Sequence, residues 1–64
     1  MQTRLALRYL DQLLQLRTRL TFAEWVKQRR DDGRQWYRIA AELSDFTGVD
    51  VSPETVRRWY ENPL

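Results

Sequence analysis

The fold of this chain is decided near its C-terminus by residues 39–59, which read IAAELSDFTGVDVSPETVRRW. Apolar residues recur there at intervals of three and four, as they do along one face of an α-helix, both before Gly48 and after Ser52. A serine followed by a proline is typical of a helix start, because the hydroxyl caps the first turn and proline has no N–H to leave unpaired. The stretch predicts two helices joined by a turn.

The bounds of these two helices follow from local signals. The earlier helix is predicted from about Gln35 to Thr47, with Gly48 as its C-terminal cap. The later helix is predicted from Ser52 to Glu61, and Asn62-Pro63 ends it. The inner face of the earlier helix is predicted to carry Trp36, Ile39, Ala40, Leu43 and Phe46.

The N-terminal half predicts two further helices. The first runs from about Thr3 to Arg19, and its apolar residues form two adjacent stripes that together are wider than one packing seam. One stripe consists of Tyr9, Leu13, Leu16 and Leu20, and the other of Ala6, Leu10 and Leu14, with Leu5 and Leu7 flanking. The second begins at Thr21, because Thr21 and Glu24 have the spacing of a capping box. Residues 31–33, Asp-Asp-Gly, end it, with the glycine suited to a left-handed conformation.

Length and composition restrict the stabilising interactions. A chain of 64 residues forms a single domain with a small core, which usually needs a supplement. It has no cysteine and no histidine, which excludes disulfides and nearly all transition-metal sites. Self-association is then the remaining source of additional stability for the small core. It has neither a signal-peptide core nor an apolar run near the roughly 20 residues that span a bilayer. We therefore expect a soluble cytoplasmic protein.

Arginine dominates the basic residues. The net charge is only +2, and Lys27 is the single lysine among 11 Lys and Arg residues. The guanidinium group of arginine binds phosphate and guanine through two parallel hydrogen bonds, which the lysine ammonium group cannot do, and this favours a nucleic-acid partner. A GC-rich genome accounts for the same excess, so the composition leaves both explanations open.

The C-terminal pattern resembles a known DNA-binding motif. Ile39-Ala40-x-x-Leu43, a turn, and then Val51-Ser52-x-x-Thr55-Val56-x-x-Trp59 are similar to the helix-turn-helix of small regulators from actinobacteria and their phages, of repressor or excision-factor size. In that motif the second helix packs across the first through a small alanine. The connection here, residues 44–50, is longer than the commonest one, although Phe46 continues the apolar helix face to which Leu43 belongs. The resemblance implies an all-α, compact bundle of four helices with a C-terminal helix-turn-helix and no wing. Residues 1–64 would form one domain, with an N-terminal amphipathic helix in 1–20 and the helix-turn-helix unit in 21–64.

The same resemblance implies a base-reading face on the last helix. If Val56 and Trp59 are buried, helical geometry places the charged residues of this helix on the opposite side. The N-terminal and outward residues of the second helix contact base edges in helix-turn-helix proteins. These positions are held here by Ser52, Pro53, Glu54, Arg57, Arg58 and Glu61. We expect Arg57 or Arg58 to donate to guanine and Glu54 to accept from cytosine N4. A solvated face of i,i+4 ion pairs is the structural alternative.

Phosphate contacts are expected from residues outside that helix. They would come from basic and tyrosine side chains near the end of the second helix, the start of the third and the end of the fourth. These are Lys27, Arg29, Arg30, Arg34, Arg38, Tyr37 and Tyr60. Ordinary surface charge is the alternative for each of them, and Trp36 is expected in the core.

The first helix offers more apolar surface than one packing face needs. We expect it to form a homodimer through Tyr9, Leu10, Leu13, Leu14 and Leu16, which would supply buried surface and a second DNA half-site. One alternative is a fourth helix packed on its own chain. Another is a basic amphipathic helix on a membrane surface, through Arg4, Arg8, Arg17 and Arg19.

The residues for catalysis are lacking. There is no histidine base, cysteine nucleophile, glycine-rich phosphate loop or carboxylate–metal spacing, so we expect no enzyme, catalytic residue, cofactor, metal or small-molecule substrate. The sequence predicts sequence-selective binding of double-stranded DNA by a transcriptional regulator. The rival hypothesis is a protein–protein interaction module, for example a phage protein that binds a host factor through the leucine-rich first helix.

Overall fold

A computed structural model of the protein describes residues 4–62, and only the backbone of Arg4. It contains α1 (Arg4–Thr18), α2 (Phe22–Asp31), α3 (Trp36–Thr47) and α4 (Pro53–Glu61). Residues 4–62 contain no β-strand, and the predicted all-α bundle of four helices is confirmed. The predicted start at Thr3 and the stop at Pro63 lie outside the described residues.

The core lies between the helices and takes residues from all of them. α4 packs on α3 and α2, and α1 packs on α2 and α3. The buried apolar side chains are Leu7, Leu10, Leu14, Phe22, Trp25, Val26, Ile39, Ala40, Leu43, Val51, Val56 and Trp59. Trp36 and Phe46, also predicted on the inner face of α3, are only partly buried at the edge of this core.

α1 supplies the core with one of its two apolar stripes. Leu10 and Leu14 are fully buried within the chain, so they have no surface for a second copy. Their predicted role in dimerisation is corrected by this burial, because they could not meet another chain unless α1 left the bundle. Tyr9 and Leu16 are exposed and Leu13 is partly buried.

The end of α1 is also tied to α3. Arg17 Nη1 donates to the carbonyl oxygen of Phe46 at 3.1 Å. The Arg17 guanidinium carbon lies 5.4 Å from the centroid of the Phe46 ring.

Of the arginines proposed for a membrane surface, Arg17 is thus engaged in packing, Arg8 and Arg19 are exposed, and the Arg4 side chain is outside the described part. No helix within residues 4–62 is long and apolar enough to cross a membrane.

The predicted helix caps of α2 and α3 are confirmed. Glu24 N–H donates to Thr21 Oγ1 at 3.2 Å, and Thr21 N–H donates to Glu24 Oε1 at 2.9 Å, which completes the capping box. Gly33 follows α2 with φ of 82°, and Gly48 caps α3 with φ of 75°. Both lie in the left-handed region, where glycine has no Cβ to clash.

α1 ends without a glycine. Arg19 adopts φ of 63°, a left-handed conformation that is unfavourable for a residue with a Cβ. The turn is held by backbone Arg19 N–H, which donates to Gln15 O at 3.0 Å. The chain then reaches Thr21, the N-cap of α2. A strained residue therefore makes the sharp change of direction between α1 and α2.

Candidate nucleic-acid interface

The outward face of α4 is fully accessible. Val56 is completely buried and Trp59 nearly so, which confirms the predicted packing beneath the helix. Arg57 and Arg58 are exposed, and no described part of α1, α2 or α3 covers them. Glu54 and Glu61 share this exposed face. We call the surface formed by Glu54, Arg57, Arg58 and Glu61 the α4 face.

Two ion pairs join the four charged residues of the α4 face. Arg57 Nε lies 3.2 Å from Glu61 Oε2, within hydrogen-bond distance. Arg58 Nη2 lies 3.6 Å from Glu54 Oε1, which is an ion pair only. All four side chains are more than half exposed. Pairs in such settings contribute about 0.2–1 kcal/mol, so both can open readily.

The start of α4 is capped by its own residues. The Ser52 hydroxyl accepts from Thr55 N–H at 3.2 Å and donates to Thr55 Oγ1 at 2.8 Å. Ser52 and Pro53 are both exposed at the start of the helix that carries the α4 face. The hydroxyl proton of Ser52 would have to turn away from Thr55 to reach a phosphate.

Glu42 brings together two of the predicted phosphate contacts. Arg29 Nε lies 3.4 Å from Glu42 Oε2, and Arg34 Nη1 pairs with Glu42 Oε1. The Arg29 guanidinium also lies 4.2 Å from the Trp25 ring centroid. One carboxylate on α3 therefore holds an arginine of α2 and one of the α2–α3 turn. Glu42 was not predicted from the sequence, since its partners are not at helical spacing from it.

A stacked cluster connects α2, α3 and α4. The Arg30 guanidinium lies 4.8 Å from the Trp36 ring centroid, and Arg30 Nη1 donates to the carbonyl oxygen of Arg34 at 2.9 Å. The Trp36 and Tyr60 rings lie 5.8 Å apart with a tilt of 54°. Trp36 thus has a structural role at the edge of the core, as expected. Tyr60 is partly buried against it, and Arg30 remains exposed.

The other predicted phosphate contacts differ in whether their side chains already have a partner within the chain. Lys27 Nζ pairs with Asp31 Oδ2 at 2.9 Å, and this hydrogen bond and the carboxylate charge raise the pKa of Lys27. Tyr37 and Arg38 are exposed near the start of α3, and their side chains have no polar partner among the described residues. Gln35, the N-cap of α3, makes no side-chain capping bond. Tyr37 and Arg38 are the predicted contacts with the least intramolecular competition.

A second surface lies on α1. An open groove of about 720 Å³ runs between α1, the start of α2 and the edge of Trp59. It is lined by Leu7, Arg8, Asp11, Gln12, Gln15, Leu16, Thr21, Phe22, Ala23 and Trp59. Leu16 stands at this groove with 82% of its surface exposed. On α4, Trp59 points away from the α4 face, so the groove and the α4 face lie on different sides of that helix.

Comparisons of the chain with known protein families, curated proteins and solved structures find no significant match. The likeness to helix-turn-helix regulators therefore rests on residues 39–59 themselves. The surface features that bear on function are the exposed charges of α4, the basic residues around the start of α3 and the groove on α1.

Proposed function

We propose that the protein binds double-stranded DNA sequence-selectively by placing the α4 face in the major groove, and that it acts as a transcriptional regulator. One observation carries the proposal: Val56 and Trp59 are buried while Arg57 and Arg58 point to solvent. A single α-helix fits the width of the major groove. α4 has nine residues and is well delimited by Ser52 and Asn62, which suits a helix that enters a groove.

The residue types on the α4 face match base edges. Arginine donates in a fork to guanine O6 and N7, and glutamate accepts from cytosine N4. Arg57 or Arg58 would read guanine and Glu54 would read cytosine. Because both ion pairs of this face are exposed, the cost of opening them is small compared with the roughly 1–3 kcal/mol of discrimination that a bidentate base contact provides.

Phosphate contacts would orient the protein on the duplex. Tyr37 and Arg38 at the start of α3 are the first choice, because their side chains are exposed and make no ion pair with described residues. Arg30 lies close by and is exposed, with a hydrogen bond to the Arg34 carbonyl. Lys27, Arg29 and Arg34 would contribute less, since Asp31 and Glu42 already offset their charges.

The test is retention of random genomic duplexes, followed by fluorescence anisotropy at two salt concentrations and sequencing of the retained fraction. DNA binding predicts affinity that falls with salt and a retained pool enriched in particular sequences. The double variant Arg57→Ala plus Arg58→Ala should lose retention with unchanged helicity and melting. The control Arg8→Ala plus Arg19→Ala removes the same charge from exposed positions on and after α1 and should retain the enriched sequences. No salt-dependent retention by the wild-type protein would refute the proposal.

The groove on α1 favours a second candidate, an interaction with protein. Leu16 is highly exposed next to a groove with Leu7, Phe22 and Trp59 in its lining. A second copy bound there would give a homodimer on two DNA half-sites, and a different protein bound there would make this an interaction module. Leu16→Ser should then abolish dimerisation, measured by sedimentation, or partner capture, whereas the double arginine variant should leave either one intact.

A further inference from the structure

We infer that Glu54 and Glu61 determine the selectivity of the α4 face by competing with DNA phosphates for its arginines. The inference rests on the proposed DNA binding and adds a role for the two carboxylates within it. Each holds one arginine four residues away, Glu54 pairing with Arg58 and Glu61 with Arg57. The face is therefore electrically balanced, although both of its arginines point outward.

The two pairs hold their arginines in different ways. Arg57 is bound through Nε, which leaves the end-on edge of its guanidinium, formed by one N–H of each terminal nitrogen, without an acceptor among the described residues. A guanidinium needs two parallel N–H groups to bind guanine O6 and N7, and Arg57 keeps such a pair while it stays on Glu61. Glu61 is thus a positioning residue for Arg57, and its negative charge repels a phosphate that approaches the same N–H groups, whereas guanine is neutral.

Arg58 is held at its end. Its Nη2 lies 3.6 Å from Glu54, longer than a hydrogen bond. Arg58 must leave Glu54 to make a bidentate contact, and Glu54 then has a free carboxylate in the groove. That carboxylate is repelled by phosphate but accepts a hydrogen bond from a cytosine amino group. A G·C pair can satisfy both released partners, whereas a phosphate satisfies only the arginine.

The two carboxylates should therefore penalise non-specific contacts more than specific ones. Selectivity is the difference between the affinities for the preferred and the unrelated duplex. A group that weakens binding to the unrelated duplex therefore raises selectivity, just as a group that strengthens binding to the preferred duplex does. Without Glu54 or Glu61, the freed arginine can take any phosphate within reach. The gain in affinity for unrelated duplexes should then exceed any gain for the preferred one.

The experiment compares Glu54→Gln and Glu61→Gln with Asp45→Asn, which removes the same charge from an exposed position on α3. The dissociation constant is measured by anisotropy on the most enriched duplex and on a shuffled duplex, over a series of salt concentrations. We expect each glutamate variant to lower the ratio of the two affinities on the order of tenfold, the equivalent of one base contact. The salt dependence on shuffled DNA should steepen by about 0.9 in log–log slope, as for one added phosphate contact. Asp45→Asn should change neither quantity.

An unchanged ratio and slope in both glutamate variants would overturn this inference while leaving DNA binding intact, since the wild-type protein still selects its duplex. Equal changes in Asp45→Asn would overturn it too, because net charge alone would then account for them. A wild-type protein that binds neither duplex overturns the proposed function and this inference together.

Discussion

The Asp11 carboxylate on α1 accepts the backbone N–H of Phe22, the first residue of α2, at 2.7 Å. Its other oxygen accepts from Gln15 Nε2 at 2.8 Å, which holds the carboxylate in place. The first N–H groups of a helix have no partner within the helix. Asp11 therefore caps the first N–H of α2 from a different helix and joins α1 to α2.

This bond predicts a loss of stability in Asp11→Ala. A hydrogen bond to a charged group near a helix N-terminus contributes about 1–2 kcal/mol, and alanine removes it. Urea unfolding followed by circular dichroism should show this decrease in the free energy of unfolding. Asp11→Asn is the matched control, because its amide oxygen can still accept from Phe22 and should preserve most of the stability. Equal losses in both variants would mean that the charge of Asp11 matters rather than the bond.

The turn after α1 predicts a stabilising substitution. Arg19 has φ of 63°, where a side chain costs roughly 1–2 kcal/mol and glycine has no such steric cost. Arg19→Gly should therefore raise the free energy of unfolding by about 0.5–1 kcal/mol, with part of the gain offset by the greater freedom of glycine in the unfolded chain. Arg19→Ala removes the same charge but keeps the Cβ, so it should give no such gain. A thermal melt that ranks the alanine variant with the glycine variant would contradict the strain argument.

The local parts of the fold could be predicted from the sequence. The cap at Thr21 and the helix end at Gly48 depend on residues within one turn of each other, and the structure has both as predicted. The burial of Val56 and Trp59 followed from periodicity alone. Arg19 shows the limit of such signals. A left-handed residue is recognised in a sequence when it is glycine or asparagine, and here an arginine takes that conformation.

Contacts between helices could not be predicted in the same way. Glu42 lies on α3 and its arginine partners on α2 and the turn that follows, so the pairing depends on how the helices pack. Leu10 and Leu14 belong to a stripe that could have faced either the core or a second chain, and packing places them in the core. Arg57 and Arg58 were predicted both as a reading face and as ion-paired surface, and the pairing is present on an accessible helix.

Arg38 provides a test of the proposed orientation on DNA. Its exposed side chain is expected to contact a phosphate, which carries no sequence information. Arg38→Ala should weaken binding to all duplexes by a similar factor and lower the magnitude of the log–log salt slope by about 0.9. Arg57→Ala should instead reduce the preference for the enriched duplex. Titrations of both variants on enriched and shuffled duplexes separate these effects, and a change of base preference in Arg38→Ala would place Arg38 at a base edge.

Glu24 predicts how stability responds to acid. The hydrogen bonds from the Thr21 backbone and the Thr21 side chain lower the pKa of Glu24 below its usual value of 4.5. A carboxyl group with a lowered pKa in the folded state contributes stability that is fully present above its unfolded pKa. That contribution is lost as the pH falls below about 4.5 and through the folded pKa.

Glu24→Gln retains a capping-box acceptor that does not titrate. The difference in melting temperature between wild type and Glu24→Gln should therefore be constant above about pH 5.5 and shift against the wild type as the pH falls below about 4.5, in a series of melts from neutral to acidic pH. A difference that does not vary with pH would mean that the Glu24 carboxylate has the same pKa in the folded and unfolded chains.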